Sequence, residues 1–171
     1  RIAIKKGIPT IIDYFNQKIS SKILKKYGKA KVITATNVFA HIDDINSIVK
    51  SIIKILKNNG VFISESHYLL PLIKTVQYDT IYHEHLRYYS LESLNFLLKK
   101  NKLEIIDVKE ISTHGGSIRV YAARKGIYKI SKNVNKQFKK EKKFLNKKSF
   151  ENFKKNVVAS KVNLFNKIKK I

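Results

Sequence analysis

The sequence predicts an α/β domain whose sheet is mostly parallel with an antiparallel final strand, followed by basic helices. Three observations carry that expectation. Short β-branched runs at residues 31–36 and 61–63 alternate with segments of helical apolar spacing, the pattern of parallel strands joined by crossover helices. Two further runs, at 103–108 and 118–123, follow one another with only a turn region between them, which suits an antiparallel pair. From Tyr128 onward the pattern is helical and rich in Lys.

Taken in order, residues 1–6 read as the end of a helix that Gly7 stops, and the apolar run at 8–12 reads as a strand with Pro9 near its edge. Positions 15, 19, 23, 24 and 27 are apolar at helical spacing, and Gly28 ends that helix. The strand at 31–36 runs into Asn37-Val38-Phe39-Ala40-His41, and the carboxyl end of a strand is where open α/β sheets bind ligands. Asp43 or Asp44 caps a helix with Ile45, Ile48, Val49, Ile52 and Leu56 on one face, and Asn58-Asn59-Gly60 ends it. Glu65 stands at the carboxyl end of the strand at 61–63. Residues 66–89 hold Pro71 and many Tyr and His residues without clean periodicity, so they read as a long loop with one helical turn near 69–76. Ser90 caps the next helix, with Glu92 in its first turn and Leu91, Leu94, Leu97 and Leu98 buried. In the tail, positions 150, 153, 157, 164, 165, 168 and 171 form an apolar stripe that fits an amphipathic helix docked on another surface.

Composition limits the function classes. The chain has no Cys, which excludes disulfides and thiolate metal sites within it. It has no Met and opens on Arg1, and so reads as an internal fragment; no long apolar run or signal-type start is present, which reads as soluble and cytoplasmic, without a membrane. The net charge of +24 invites a non-catalytic module that binds nucleic acid. Against that, 32 of the 36 cations are Lys, which lacks the bidentate fork of Arg, so no specific nucleic-acid partner is expected. The charge is uneven, with a seam near Gly126: residues 125–171 hold 16 basic and 2 acidic groups.

The densest chemistry is Tyr82-His83-Glu84-His85. A proton beside a carbonyl is removed by a base that titrates near working pH, and His85 is the candidate base. The Tyr82 phenol suits an oxyanion, and Glu84 suits orienting an imidazole or binding a hydroxyl. His41 and the Gly115-Gly116 turn are positioned in sequence to close a pocket from other sides. A metal site reads poorly, because His83 and His85 lack the HExxH spacing that places two His on one helix face. The plain alternative is a partly exposed loop whose His and Tyr side chains satisfy one another, and His67 and His114 read as ordinary loop residues.

Four ordered blocks resemble the S-adenosylmethionine-dependent sugar C-methyltransferases: residues 36–41 (TNVFAH), 60–63 (GVFI), 79–86 (DTIYHEHL) and 114–120 (HGGSIRV). The resemblance implies a class I methyltransferase, Rossmann-like sheet that is incomplete at its N-terminus. Residues 1–126 correspond to the C-terminal half of that domain, and 127–171 to a Lys-rich helical linker. It implies methylation of nucleotide-linked 4-keto-deoxysugars at the carbon beside the ketone. His85 is then the base, Tyr82 and Glu84 its companions, and His41, Asn37, Gly115 and Gly116 contact the substrate. Asn37 and Phe39 contact the cofactor, S-adenosylmethionine. The family's Cys-based zinc module, Gly-rich cofactor turn and C-terminal Rossmann-like domain have no counterpart within these residues, so zinc is not expected here. N- or O-methylation of another small molecule is the competing reading.

Overall fold

The computed structural model describes residues 2–170; Arg1 and Ile171, placed in the sequence on a first helix and on the tail's apolar stripe, lie outside it. The elements run α1 (Ile2–Lys5), α2 (Gln17–Tyr27), β1 (Ala30–Thr36), α3 (Ile45–Ile55), β2 (Leu56–His67), α4 (Leu69–Lys74), α5 (Leu91–Lys100), β3 (Leu103–Ile111), β4 (Ser117–Arg124), α6 (Lys132–Phe144) and α7 (Lys147–Ile168). The four strands form one sheet in the order β1-β2-β4-β3. β1 and β2 are parallel, and β4 is antiparallel to both β2 and β3. The final strand therefore inserts between its predecessors, and the long connection between β2 and β3 leaves room for it.

Local signals in the sequence account for the helix ends. Asn16 caps α2, Asp44 caps α3 by accepting from the Ser47 N–H at 3.0 Å, and Ser90 and Ser93 cap α5 reciprocally. Phe39 stacks on Phe62 with ring centroids 5.6 Å apart, at the centre of a core that runs from Ile45 and Val49 through Leu94 and Val120 to Val134.

Two expectations fail for identifiable reasons. Residues 8–12 form no strand: Pro9 offers no N–H, no neighbouring strand pairs with them among the described residues, and Ile8, Ile11 and Ile12 are exposed. Asn58-Asn59-Gly60 do not end α3, which stops at Ile55. Leu56 already pairs with Ala30, and residues 57–60 bulge before the register resumes at Val32 and Val61. The stripe on α7 is mostly uncovered, with Phe150, Leu164, Phe165 and Ile168 exposed.

The tail's first helix, by contrast, is part of the core. Val134 of α6 is buried, and the Gln137 amide of that helix donates to the Tyr68 hydroxyl at 2.7 Å and to the Glu110 carboxylate at 2.6 Å. Partial burial alone pushes the Glu110 carboxyl up, but hydrogen bonds from Lys140 and Gln137 outweigh it and hold the group below its ordinary 4.5. A lowered folded value stabilises above the unfolded value and is lost as pH falls through the folded one. As pH falls through the ordinary carboxyl range and past the lower folded value, the stability difference between the protein and its Glu110→Gln variant is therefore expected to shrink and then vanish.

Candidate active site

A cleft lies where β1 and β2 end. Thr36 pairs with Glu65, so the two carboxyl ends are level, and Asn37 leaves β1 where Ser66 and His67 close β2. Because β4 runs the other way, its first residue, Ser117, pairs with His67, and this brings the turn at Thr113–Gly115 to the same end. Glu65 fixes that junction: its carboxylate is 2.6 Å from Arg119 Nη2 and accepts from the Thr113 hydroxyl at 3.4 Å. The resulting cavity, about 460 Å³, is walled by Asn37, Ala40, His41, Ser66, His67, Asp79, Thr80, Tyr82, His85 and His114.

The long loop is held over this end by bonds to the segment after β1. The Leu86 N–H donates to the Ala40 carbonyl at 2.9 Å, and the Tyr89 hydroxyl donates to the Phe39 carbonyl at 3.2 Å. The Arg87 guanidinium donates to the carbonyls of Ile42 and Asp43.

Those anchors fix the imidazoles. His85 Nδ1 lies 2.8 Å from the Thr80 carbonyl, which also accepts from the Tyr88 hydroxyl at 3.0 Å. Burial raises the Tyr88 phenol above its ordinary value, so it stays protonated as a donor. A carbonyl only accepts, so in neutral His85 the proton sits on Nδ1 and Nε2 keeps its lone pair. Nε2 lies 3.3 Å from the Tyr82 hydroxyl. His41 is set the same way: Nδ1 donates to the Glu84 carbonyl at 2.9 Å, and the His41 and His85 ring centroids are 5.1 Å apart.

Of the residues singled out in the sequence, His85, Tyr82, His41 and Asn37 share this cleft. The others are used differently. Glu84 orients an imidazole through its backbone carbonyl, while its side chain is exposed and is not part of the lining. Phe39 is not in this lining: its side chain is 1% exposed, packed against Phe62 and Tyr89. Gly115 and Gly116 are not wall residues. A Cβ at Gly115 meets Gln77 Oε1 at 2.6 Å and one at Gly116 meets Pro71 Cγ at 2.6 Å, so their small size lets the turn pack on the loop. His83 is exposed and outside the lining.

Sequence reasoning missed Ser66, His67, Asp79, Thr80 and His114 in the wall, and Gln77 behind it. The signal for His67 was its place just past the apolar core of a parallel strand. His114 and Asn37 both have positive φ, 54° and 55°, a conformation that costs a non-glycine residue energy and that clusters at functional sites. Among the described residues no three His, Asp or Glu side chains are arranged to hold a metal ion, and no helix is long and apolar enough to cross a membrane.

Comparison with known proteins agrees with this architecture. Residues 6–108 match the family model described as a methyltransferase domain, and residues 112–171 match a C-methyltransferase C-terminal domain. The chain belongs to the methyltransferase domain family. Among individual relatives, it is 38% identical over 122 residues to the C-methyltransferase NovU of Streptomyces niveus, a match covering 71% of this chain and 29% of NovU. The chain thus spans under a third of that relative's length. Two solved structures share the fold: a methyltransferase from Anabaena variabilis and one from Clostridium acetobutylicum, both described as S-adenosylmethionine-dependent. Their TM-scores are 0.54 and 0.53, at 13% and 19% identity, over 72% and 73% of this chain and 63% and 69% of theirs.

Proposed function

We propose that the chain is the acceptor-binding part of an S-adenosylmethionine-dependent C-methyltransferase acting on a nucleotide-linked 4-keto-deoxysugar, with His85 as the base. The observation that carries this reading is the fixed tautomer of His85, whose basic Nε2 lies beside a phenol in a cleft at the carboxyl ends of parallel strands. Support for carbon as the methylated atom comes from the match to a C-methyltransferase C-terminal domain and from the likeness to NovU. The sugar class rests on the resemblance of the four sequence blocks.

His85 Nε2 removes the proton alpha to the ketone, and the imidazolium that forms keeps its Nδ1–H on the Thr80 carbonyl. Tyr82 turns its hydroxyl toward the enolate oxygen as charge gathers there. Bound S-adenosylmethionine supplies an electrophilic methyl group. Asn37, with its left-handed backbone at the end of β1, is the residue of this chain suited to contact that cofactor from the acceptor side. The fit is partial, since no Gly-rich turn follows a strand among the described residues.

The test is product analysis with the full-length protein, S-adenosylmethionine and a nucleotide-linked 4-keto-deoxysugar. A new C–CH₃ group on the carbon beside the ketone, assigned by NMR, is expected; methyl on oxygen or nitrogen overturns the reading. In the same assay Tyr82→Phe is expected to lower kcat by about 10-fold while leaving the fold intact, because the variant loses one donor to the enolate.

A further inference from the structure

The loop that carries His85 is anchored at both ends. Beyond His85 it is bonded to the segment after β1, through the Leu86 N–H and the Tyr89 hydroxyl. Ahead of His85 the anchor is Gln77, which stands outside the cleft lining and has no part in the reaction proposed above. Its amide nitrogen lies 2.8 Å from the Gly115 carbonyl and 2.6 Å from the Thr75 hydroxyl oxygen. That carbonyl only accepts, and the Thr75 hydroxyl gives its own proton to the Pro71 carbonyl at 2.9 Å. Both partners therefore require the NH₂ group on this side, so Oε1 is the atom that accepts from His67 Nε2 at 2.9 Å.

The main chain at Gln77 carries the constraint to the base. Its carbonyl accepts from the Thr80 hydroxyl at 2.8 Å, and the Thr80 carbonyl accepts from His85 Nδ1 at 2.8 Å. Val76, immediately before, has a φ of 57°, a conformation that strains a β-branched residue and persists only where the surroundings over-determine it. Gly115 leaves room for the clamp, since a Cβ there would meet Gln77 Oε1 at 2.6 Å. One residue thus joins the last residue of β2, the turn before β4 and the loop itself. Neutral His67, with its proton on Nε2, keeps the lone pair on Nδ1, the reverse of His85, although the two ring centroids are 6.5 Å apart.

We propose that Gln77 is the positioning residue for proton removal. It clamps the loop to the end of the sheet so that the Thr80 carbonyl, and with it His85, keeps its place, and it sets His67 in the tautomer opposite to that of His85. Gln77 acts through these two imidazoles and not on the acceptor. The assignment rests on the base chemistry proposed above, and it adds what holds that base in register.

The experiment uses the full-length protein and follows α-proton exchange of a nucleotide-linked 4-keto-deoxysugar by NMR in D₂O. Ring-nitrogen NMR, at alkaline pH where both rings are neutral, reads the tautomers. In the parent, His67 is expected to carry its proton on Nε2 and His85 on Nδ1. Gln77→Leu is expected to lower kcat for exchange by about 10- to 100-fold with KM within about 2-fold, because a base displaced by about 1 Å loses rate and not binding. The same variant frees His67 to take both tautomers. Gln77→Glu keeps an acceptor for His67 Nε2 but sets an oxygen against the Gly115 carbonyl, so it is expected to retain the His67 tautomer and still lose rate. In a His85→Gln background, Gln77→Leu is expected to cause no further loss. Exchange at the parent rate in both Gln77 variants, a loss confined to KM, or a His67 proton on Nδ1 in the parent overturns the clamp while leaving His85 as the base. A further loss in the His85→Gln background overturns the route through His85. Exchange at the parent rate in His85→Gln alone overturns the base chemistry itself and the clamp's role with it. The parent spectrum needs no substitution, so the assignment stays open to refutation even where Gln77→Leu fails to fold.

Discussion

Replacing His85 by Gln is expected to slow α-proton exchange and methyl transfer together by about 10²- to 10⁴-fold, the range over which a positioned base contributes. The substitution removes the lone pair and little else. His85 is half-buried at the cleft, and a Gln side chain there retains an N–H that can reach the Thr80 carbonyl. Folding stability is therefore expected to stay within about 1 kcal/mol of the parent by denaturant titration. The two readouts separate the roles: a base acts before methyl transfer, so exchange measured without the methyl donor must fall by the same factor. Exchange that continues at the parent rate assigns proton removal to another group in the cleft, with His41, whose ring is 5.1 Å from His85, the first to test.

What the sequence made legible was local. A strand ending at Thr36 followed by Asn37, an Asp44 cap and a Ser90 cap are each set by a few adjacent residues, and the structure has them all. Tyr82 and His85 stood out because they sit three apart in one loop, and the structure brings their side chains to 3.3 Å. What stayed hidden depends on residues far apart in the chain. Gln77 gains its meaning only through Gly115, and Ser66 and His67 become a wall only once β4 has inserted beside β2. The burial of Phe39 was hidden because a residue next to a ligand-binding end can point either into the core or into the cleft, and the period of a turn does not say which. Residues 8–12 misled because β-propensity describes a pleated, half-buried surface, and this run has none to join.

The sharpest case of long-range dependence is Glu141, one of two acidic residues after Lys125. It is 4% exposed, and its carboxylate accepts from the backbone N–H of Leu91 and, at 3.2 Å, from that of Glu92. A carboxylate from α6 thus occupies the amino terminus of α5, where unpaired N–H groups and the helix dipole both favour negative charge. Just before α5, Tyr89 anchors the end of the loop that covers the cleft: its carbonyl accepts from the Leu69 N–H at 2.9 Å and its hydroxyl donates to the Phe39 carbonyl. Glu141→Ala is expected to cost about 3 kcal/mol of stability, the sum of two hydrogen bonds to a charged acceptor. Glu141→Gln, which keeps one acceptor oxygen and sets an NH₂ group against the other N–H, is expected to fall between parent and Ala variant. Denaturant titration measures both. Hydrogen exchange of the Leu91 and Glu92 amides then tests the location, since these two protons must lose protection in the Ala variant before the amides of β2 do. Uniform loss across the sheet assigns Glu141 to global packing instead, and unchanged stability removes the cap from the account of how a Lys-rich helix is held to this core.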